Sequence, residues 1–171
     1  MFGLILMLIL VQVAIKLLIS QFWLLELLDG LVLSQRQPLI SHSNFGSSNR
    51  PTAKKMRDAV ALVRKLDPTL EVDGEMHGDA ALSEELRDKL VKNSPLNGAA
   101  NLLVMPSLDA ANISYNLVRT LTDGIAVGPM LLGMDQPAHI LDEEVTARGI
   151  VNMTAVAVVE AQNETDGELP L

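Results

Sequence analysis

The chain has 171 residues, a formal net charge of −8 and no cysteine. The length suits one domain with a core of its own. The acidic balance argues against a nucleic-acid groove, which needs a surplus of Lys and Arg, and the absence of cysteine excludes disulfides and thiolate metal sites. Aromatics make up 3% of a chain that is 49% hydrophobic, a balance that fits helices packed on a buried sheet better than an aromatic-rich sandwich. A cysteine-free chain of this kind is compatible with a cytoplasmic location.

Residues 1–33 are almost wholly apolar, interrupted by Gln12, Lys16, Ser20, Gln21, Glu26 and Asp29. A membrane helix needs roughly 20 apolar residues in a row. Gln12 and Lys16 fall inside the best window, although Lys16 can snorkel from a position near an interface. A signal peptide would begin with basic residues and end on a small-x-small site; Met1-Phe2-Gly3 and Ser34-Gln35-Arg36 supply neither. Two readings stay open. The segment is an apolar N-terminal helix that anchors the protein to a membrane, or residues 1–38 are an out-of-frame translation joined to a genuine domain. The abrupt change of character after Pro38 favours the second.

From there the pattern alternates. Leu39-Ile40 reads as the end of a buried strand, followed by a Gly/Ser/Asn-rich loop over 41–49. Pro51 suits the first turn of a helix, with Asn49 or Arg50 near its cap. Ala53, Met56, Val60 and Val63 give that helix one apolar face, and Asp67-Pro68 ends it. Leu70-Glu71-Val72 reads as a short strand running into a loop over 73–79. A helix over 80–92 is expected to bury Leu82, Leu86 and Leu90, and a turn over 93–98 leads to an apolar strand over 101–105 that Pro106 breaks. A helix over 109–121 has its apolar face at Ile113, Leu117 and Leu121. Ile125-Ala126-Val127 is a further strand candidate, 150–161 a last apolar helix, and 163–171 an acidic tail with nothing to bury. Alternating strands and helices imply a parallel sheet, whose ligands sit at the carboxyl ends of the strands.

Several polar residues invite a chemical reading. Asp73, Glu75, His77 and Asp79 alternate closely enough to suggest metal ligands, but a turn whose carboxylates cap the next helix, with Asp79 as cap, explains them more simply. His139, beside Pro137, and Tyr115 are better read as packing residues, and Met130 and Met134 as adaptable core filler. Asn112, at the head of its helix, is the stronger candidate for a ligand contact.

The loops also carry motifs in a fixed order. Ser41-His42-Ser43-Asn44-Phe45-Gly46-Ser47 resembles the Ser-x-Ser-x-x-Gly-Ser loop of phosphate acetyl- and butyryltransferases. Val72-Asp73-Gly74-Glu75 with Asp79-Ala80-Ala81 is similar to that family's Asp-Gly-Glu-x-x-x-Asp-Ala-Ala segment. The stretch from Asn101 through Pro106 to Tyr115 looks like its strand–Pro–x–Leu–helix element, and Gly128-Pro129-Met130-Leu131-Leu132-Gly133 resembles its Gly-Pro-x-x-x-Gly turn. The resemblance covers residues 39–162. His42 to Gly46, Glu75-Met76-His77 and Ile150-Val151-Asn152-Met153-Thr154-Ala155 are similar to the versions in the C-terminal domain of bacterial NAD(P)-dependent malic enzymes.

The resemblance implies an α/β fold: part of a three-layer parallel-sheet domain of the phosphate acetyltransferase (isocitrate/isopropylmalate dehydrogenase-like) type, here its C-terminal half. It implies a parent enzyme that oxidatively decarboxylates malate with NAD(P) and a divalent metal, neither held by this segment. The appended domain is then an acetyl-CoA-responsive regulatory and oligomerisation module, with acetyl-CoA or CoA and phosphate as ligands and a second copy as partner. Ser43, Gly46, Ser47, Asn112 and Arg148 are the residues expected to face phosphate or CoA, with the loop lying ahead of the helix that starts near Pro51. In active transferases, the resemblance implies, a Ser-Arg pair precedes the last helix and an Asp stands directly before its Ile-Val start. Here Asp142-Glu143 and Gly149 occupy those positions. Exchanging Arg for Glu about 5 Å from a phosphate, at an effective dielectric of about 20, swings the interaction by roughly 6 kcal/mol, about four decades in binding. Arg148 turned inward would restore part of that, but no carboxylate replaces Gly149. The expectation is a non-catalytic domain, against the alternative of a divergent active transferase.

Overall fold

The computed structural model describes residues 35–122, 127–130, 136–141, 143 and 145–165. The apolar segment over 1–33, most of the strand candidate at 125–127, Gly133, Met134, Asp142 and residues 166–171 lie outside the described residues.

Strand β1 (Arg36–Ile40) lies at the centre of a small parallel sheet and pairs with β2 (Glu71–Met76). Between them runs α1 (Pro51–Leu66), so the three elements form a βαβ unit, as parallel neighbours require. Pro51 occupies the first turn of α1, and Arg50 holds the cap position in extended conformation without a side-chain bond. Ala53, Met56, Ala59, Val60 and Val63 are buried on one side of α1, the face its spacing predicts.

On its other edge β1 is joined by residues 101–105. Leu102 and Val104 donate to the carbonyls of Arg36 and Pro38 at 3.3 and 3.1 Å, and Ile40 donates to Val104 at 2.8 Å. The expected strand over 101–105 is therefore a bridged extended segment. The alternation of this ladder turns residue 38's nitrogen toward that edge, and proline has no N–H to give.

Side chains alternate across the sheet and build two cores. Leu39, Val72 and Val104 pack with Met56, Ala59, Val60 and Val63 of α1. Met76, Leu103 and Met105 pack with Ala80, Ala81, Leu96, Ala100 and Ala111, and with Phe45 of the loop.

Elsewhere the elements depart from the sequence expectations. β2 runs on through Met76 rather than ending at Val72, because the buried polar residues after Val72, Asp73 and Glu75, find partners on distant segments. The single helix expected over 80–92 is two, α2 (Gly78–Leu82) and α3 (Glu84–Leu90), separated at Ser83. Ser83 is extended, and its hydroxyl accepts from the Leu86 amide at 3.2 Å, capping α3. The break rotates the apolar face away: Leu82 and Leu90 are exposed, and Arg87 is the buried residue.

Helix α4 (Leu108–Leu121) is capped by Ser107, whose hydroxyl accepts from Ala110 at 3.2 Å. Its apolar face is not buried: Ile113, Leu117 and Leu121 are 61%, 57% and 80% exposed, and Ala111 alone is buried. Helix α5 (Ala147–Thr165) extends past Asn163, where the tail was expected to begin, and buries Met153 while leaving Ile150, Val151, Val158 and Val159 exposed. Among the described residues no helix is long and apolar enough to cross a membrane.

Candidate functional site

The register of the parallel pair slips once. Leu39 pairs with Gly74, and the next residue, Ile40, pairs with Met76, so Glu75 is an extra residue in β2. Such a bulge re-aims a side chain. Gly74 makes it possible: its φ is +132°, and a Cβ there would lie 2.7 Å from the Leu39 carbonyl. Glu75 is fully buried and reaches the loop that leaves β1.

Loop 41–48 closes around that carboxylate. The Ser43 hydroxyl donates to Glu75 Oε1 at 2.7 Å and the Gly46 amide donates to the same oxygen at 3.0 Å. Arg57, from α1, adds Nη2 to Oε1 at 2.8 Å and Nε to Oε2 at 2.9 Å. Its Nη2 also donates to the Ser48 carbonyl at 2.8 Å, tying helix, strand and loop together. Burial pushes the Glu75 carboxyl up, but the bonds from Arg57, then Ser43, its own backbone and Gly46 outweigh it and hold the group down to about 2.

The backbone amides from Ser43 to Ser48 are satisfied by the loop itself and by Glu75. The amides of Ser43, Asn44, Phe45, Gly46, Ser47 and Ser48 donate, in that order, to Ser41 Oγ, Ser47 Oγ, the Glu75 carbonyl, Glu75 Oε1, the Asn44 carbonyl and Ser43 Oγ. Ser43 is wholly buried, whereas Gly46 and Ser47 face solvent. The structure thus brings Ser43, Gly46 and Ser47 together, with the first two committed to Glu75. Asn112 lies exposed on α4 and accepts from Asn116 at 3.0 Å, and Arg148 is exposed in the first turn of α5. Neither is hydrogen-bonded to the loop among the described residues.

The four alternating residues after Val72 do not converge on a metal. Asp73 pairs with Arg64 and accepts from Ser94, Glu75 is enclosed by the loop, and His77 is the cap position of α2. Asp79 sits inside the first turn of α2 rather than at its cap, accepting from Ala80 at 2.7 Å. Among the described residues no group of three or more metal-binding side chains assembles. His139 is held by Glu160 at 2.8 Å, which joins residues 136–141 to α5. Sequence reasoning missed Arg57 as a partner of the loop. Its signal was faint, one charged position among several on the outer side of α1.

Residues 31–158 match the family model described as phosphate acetyl/butaryl transferase. The chain belongs to that family. It is 59% identical over 131 residues to an NAD-dependent malic enzyme of Rhizobium meliloti (strain 1021), a match covering 77% of this chain and 17% of that protein. It is 56% identical over 125 residues to an NADP-dependent malic enzyme of Salmonella typhimurium (strain LT2), covering 72% of this chain and 16% of the relative. Among solved structures, a phosphotransacetylase from Streptococcus pyogenes superposes with a TM-score of 0.82 at 28% identity, over 89% of this chain and 46% of that one. The chain therefore spans about a sixth of the length of these malic enzymes and just under half of the solved transferase.

Proposed function

We propose that this chain is part of the C-terminal, phosphate acetyltransferase-like domain of a bacterial malic enzyme, where it serves as a non-catalytic, acetyl-CoA-responsive regulatory and oligomerisation module in the cytoplasm. Malate oxidation, with its NAD(P) and divalent metal, then belongs to a part of the parent enzyme outside this segment. The fold proposed for the whole domain is the three-layer parallel sheet of the isocitrate/isopropylmalate dehydrogenase type. Malic-enzyme relatives at 59% and 56% identity support the assignment.

The observation that carries the non-catalytic reading is Gly149. In active transferases of this resemblance a carboxylate stands directly before Ile150-Val151, placed to take the proton of the CoA thiol. Here that position has no side chain, and a Cβ on it would meet Val145 Cγ2 at 2.9 Å. Glu143, where the resemblance puts a phosphate-binding Arg, is exposed and acidic. A positioned base contributes typically 10²–10⁴-fold to rate, so the purified chain is expected to form no acetyl phosphate from acetyl-CoA and phosphate. Calorimetric titration with acetyl-CoA is expected to show binding. The second reading, an active phosphate acetyltransferase, is favoured by the superposition on a solved phosphotransacetylase; robust acetyl phosphate formation would establish it and sink the first.

A further inference from the structure

We propose that loop 41–48 is an oxyanion receptor that the protein fills with its own Glu75 carboxylate, so that a phosphate or phosphoester group enters by displacing Glu75. The donor set is the argument. A hydroxyl from Ser43, an amide from Gly46 and two nitrogens of one guanidinium converge on the two oxygens of a single carboxylate, at 2.7–3.0 Å. A bidentate guanidinium flanked by neutral donors is the arrangement that recognises phosphate oxygens as well as carboxylates. Glu75 already saturates it, and a second anion brought to the same donors meets a fixed negative charge.

The receptor is reachable. Arg57 is 35% exposed, and Gly46 and Ser47 line the solvent side, so an incoming anion meets the guanidinium from outside while Glu75 holds it from inside. The site is therefore inhibited by an internal contact, and its affinity for phosphate is set by how readily Glu75 gives up Arg57. This rests on reading the loop as the phosphate-facing element of the proposed module. It does not require that acetyl-CoA itself binds.

The test uses the full chain and inorganic phosphate. Thermal unfolding is followed with phosphate and, at matched ionic strength, with chloride. The parent chain, in which phosphate must first displace Glu75, is expected to gain from phosphate over chloride by a measurable amount below about 1 °C. Glu75→Ala, which leaves Arg57, Ser43 and Gly46 without their acceptor, is expected to gain roughly 3 °C or more from phosphate over chloride, and acetate is expected to act likewise as a carboxylate replacement. Adding Arg57→Ala should abolish the gain. If Glu75→Ala does not fold, Glu75→Gln keeps the shape and removes the charge, and movement of the Gly46 amide signal in a phosphate titration reports binding. Phosphate that stabilises the parent chain as strongly as the variants overturns the proposal, as does a parent chain or a variant indifferent to phosphate. Acetyl-CoA failing to bind the parent chain counts against the regulatory reading alone, because no step here uses it.

Discussion

A carboxylate taken wholly out of water costs several kcal/mol unless its charge is met, and Glu75 is met by Arg57, Ser43 and Gly46. Its proton affinity in the fold is depressed from an ordinary 4.5 to about 2. The unfolded chain therefore takes up a proton at higher pH than the folded one does. The contribution is complete above about pH 4.5 and is lost as pH falls through about 2, an effect of about 3 kcal/mol at neutral pH. Urea unfolding over a pH series should show the parent chain weakening across that window. Glu75→Gln should be less stable at pH 7 by about 3 kcal/mol and nearly flat over the same range; equal acid limbs in the two proteins would refute this account. The neighbouring Gly74 admits a similar test. With φ at +132° and the Leu39 carbonyl 2.7 Å from the place of a Cβ, Gly74→Ala is expected to lose about 3 kcal/mol by strain and overlap. A loss below about 0.5 kcal/mol, the size typical of an unconstrained surface change, would mean that the bulge is not held as described.

The elements that sequence pattern identified best are those whose reasons are local. Pro51, the four-residue rhythm of apolar side chains and Asp67-Pro68 delimit α1 without any tertiary contact. The failures have distant causes. Residues 73–76 look like a polar turn because the segment they pair with, residues 38–40, and the partners of their buried carboxylates, Ser43, Arg57, Arg64 and Ser94, are distant in the sequence. The Leu82, Leu86, Leu90 rhythm suggested a helix that Ser83 divides, and the buried residue proved to be an arginine. Arg87 donates to the carbonyls of Ala80 and Ala81 at 3.2 and 3.4 Å and to those of Leu96 and Gly98 at 2.9 and 2.7 Å. One side chain thus fastens α2 and α3 to the turn that leads into residues 101–105. Arg87→Met keeps much of the volume but strands buried carbonyls, each costing roughly 1–3 kcal/mol when unpaired. Its unfolding midpoint should fall by the equivalent of at least about 2 kcal/mol. Ser83→Ala should lose about 1 kcal/mol as a missing cap; if the serine costs more than the arginine, the clamp is secondary to the break.

At the scale of the molecule, the loop motifs disclosed the family, whereas the burial of the later helices was misjudged for one reason. Helical rhythm tells that a face is apolar and not what covers it. Ile113, Leu117, Val118 and Leu121 present such a face on α4, at 61%, 57%, 40% and 80% exposure, and the ionisable residues of the helix, Asp109, Tyr115 and Arg119, fall outside that stripe at 100° per residue. An exposed face of this size tends to pair. The purified chain is expected to self-associate with rising concentration in light scattering. Replacing Ile113 and Leu117 by Glu should shift that association to higher concentration. Because both side chains are already more than half exposed, the double variant should keep the parent's unfolding midpoint to within about 1 kcal/mol. Association that is unchanged by the two glutamates would place the sticky surface elsewhere. A large drop in stability would show instead that the α4 face is covered within the chain, since a charge forced into a packed face destabilises the fold that buries it.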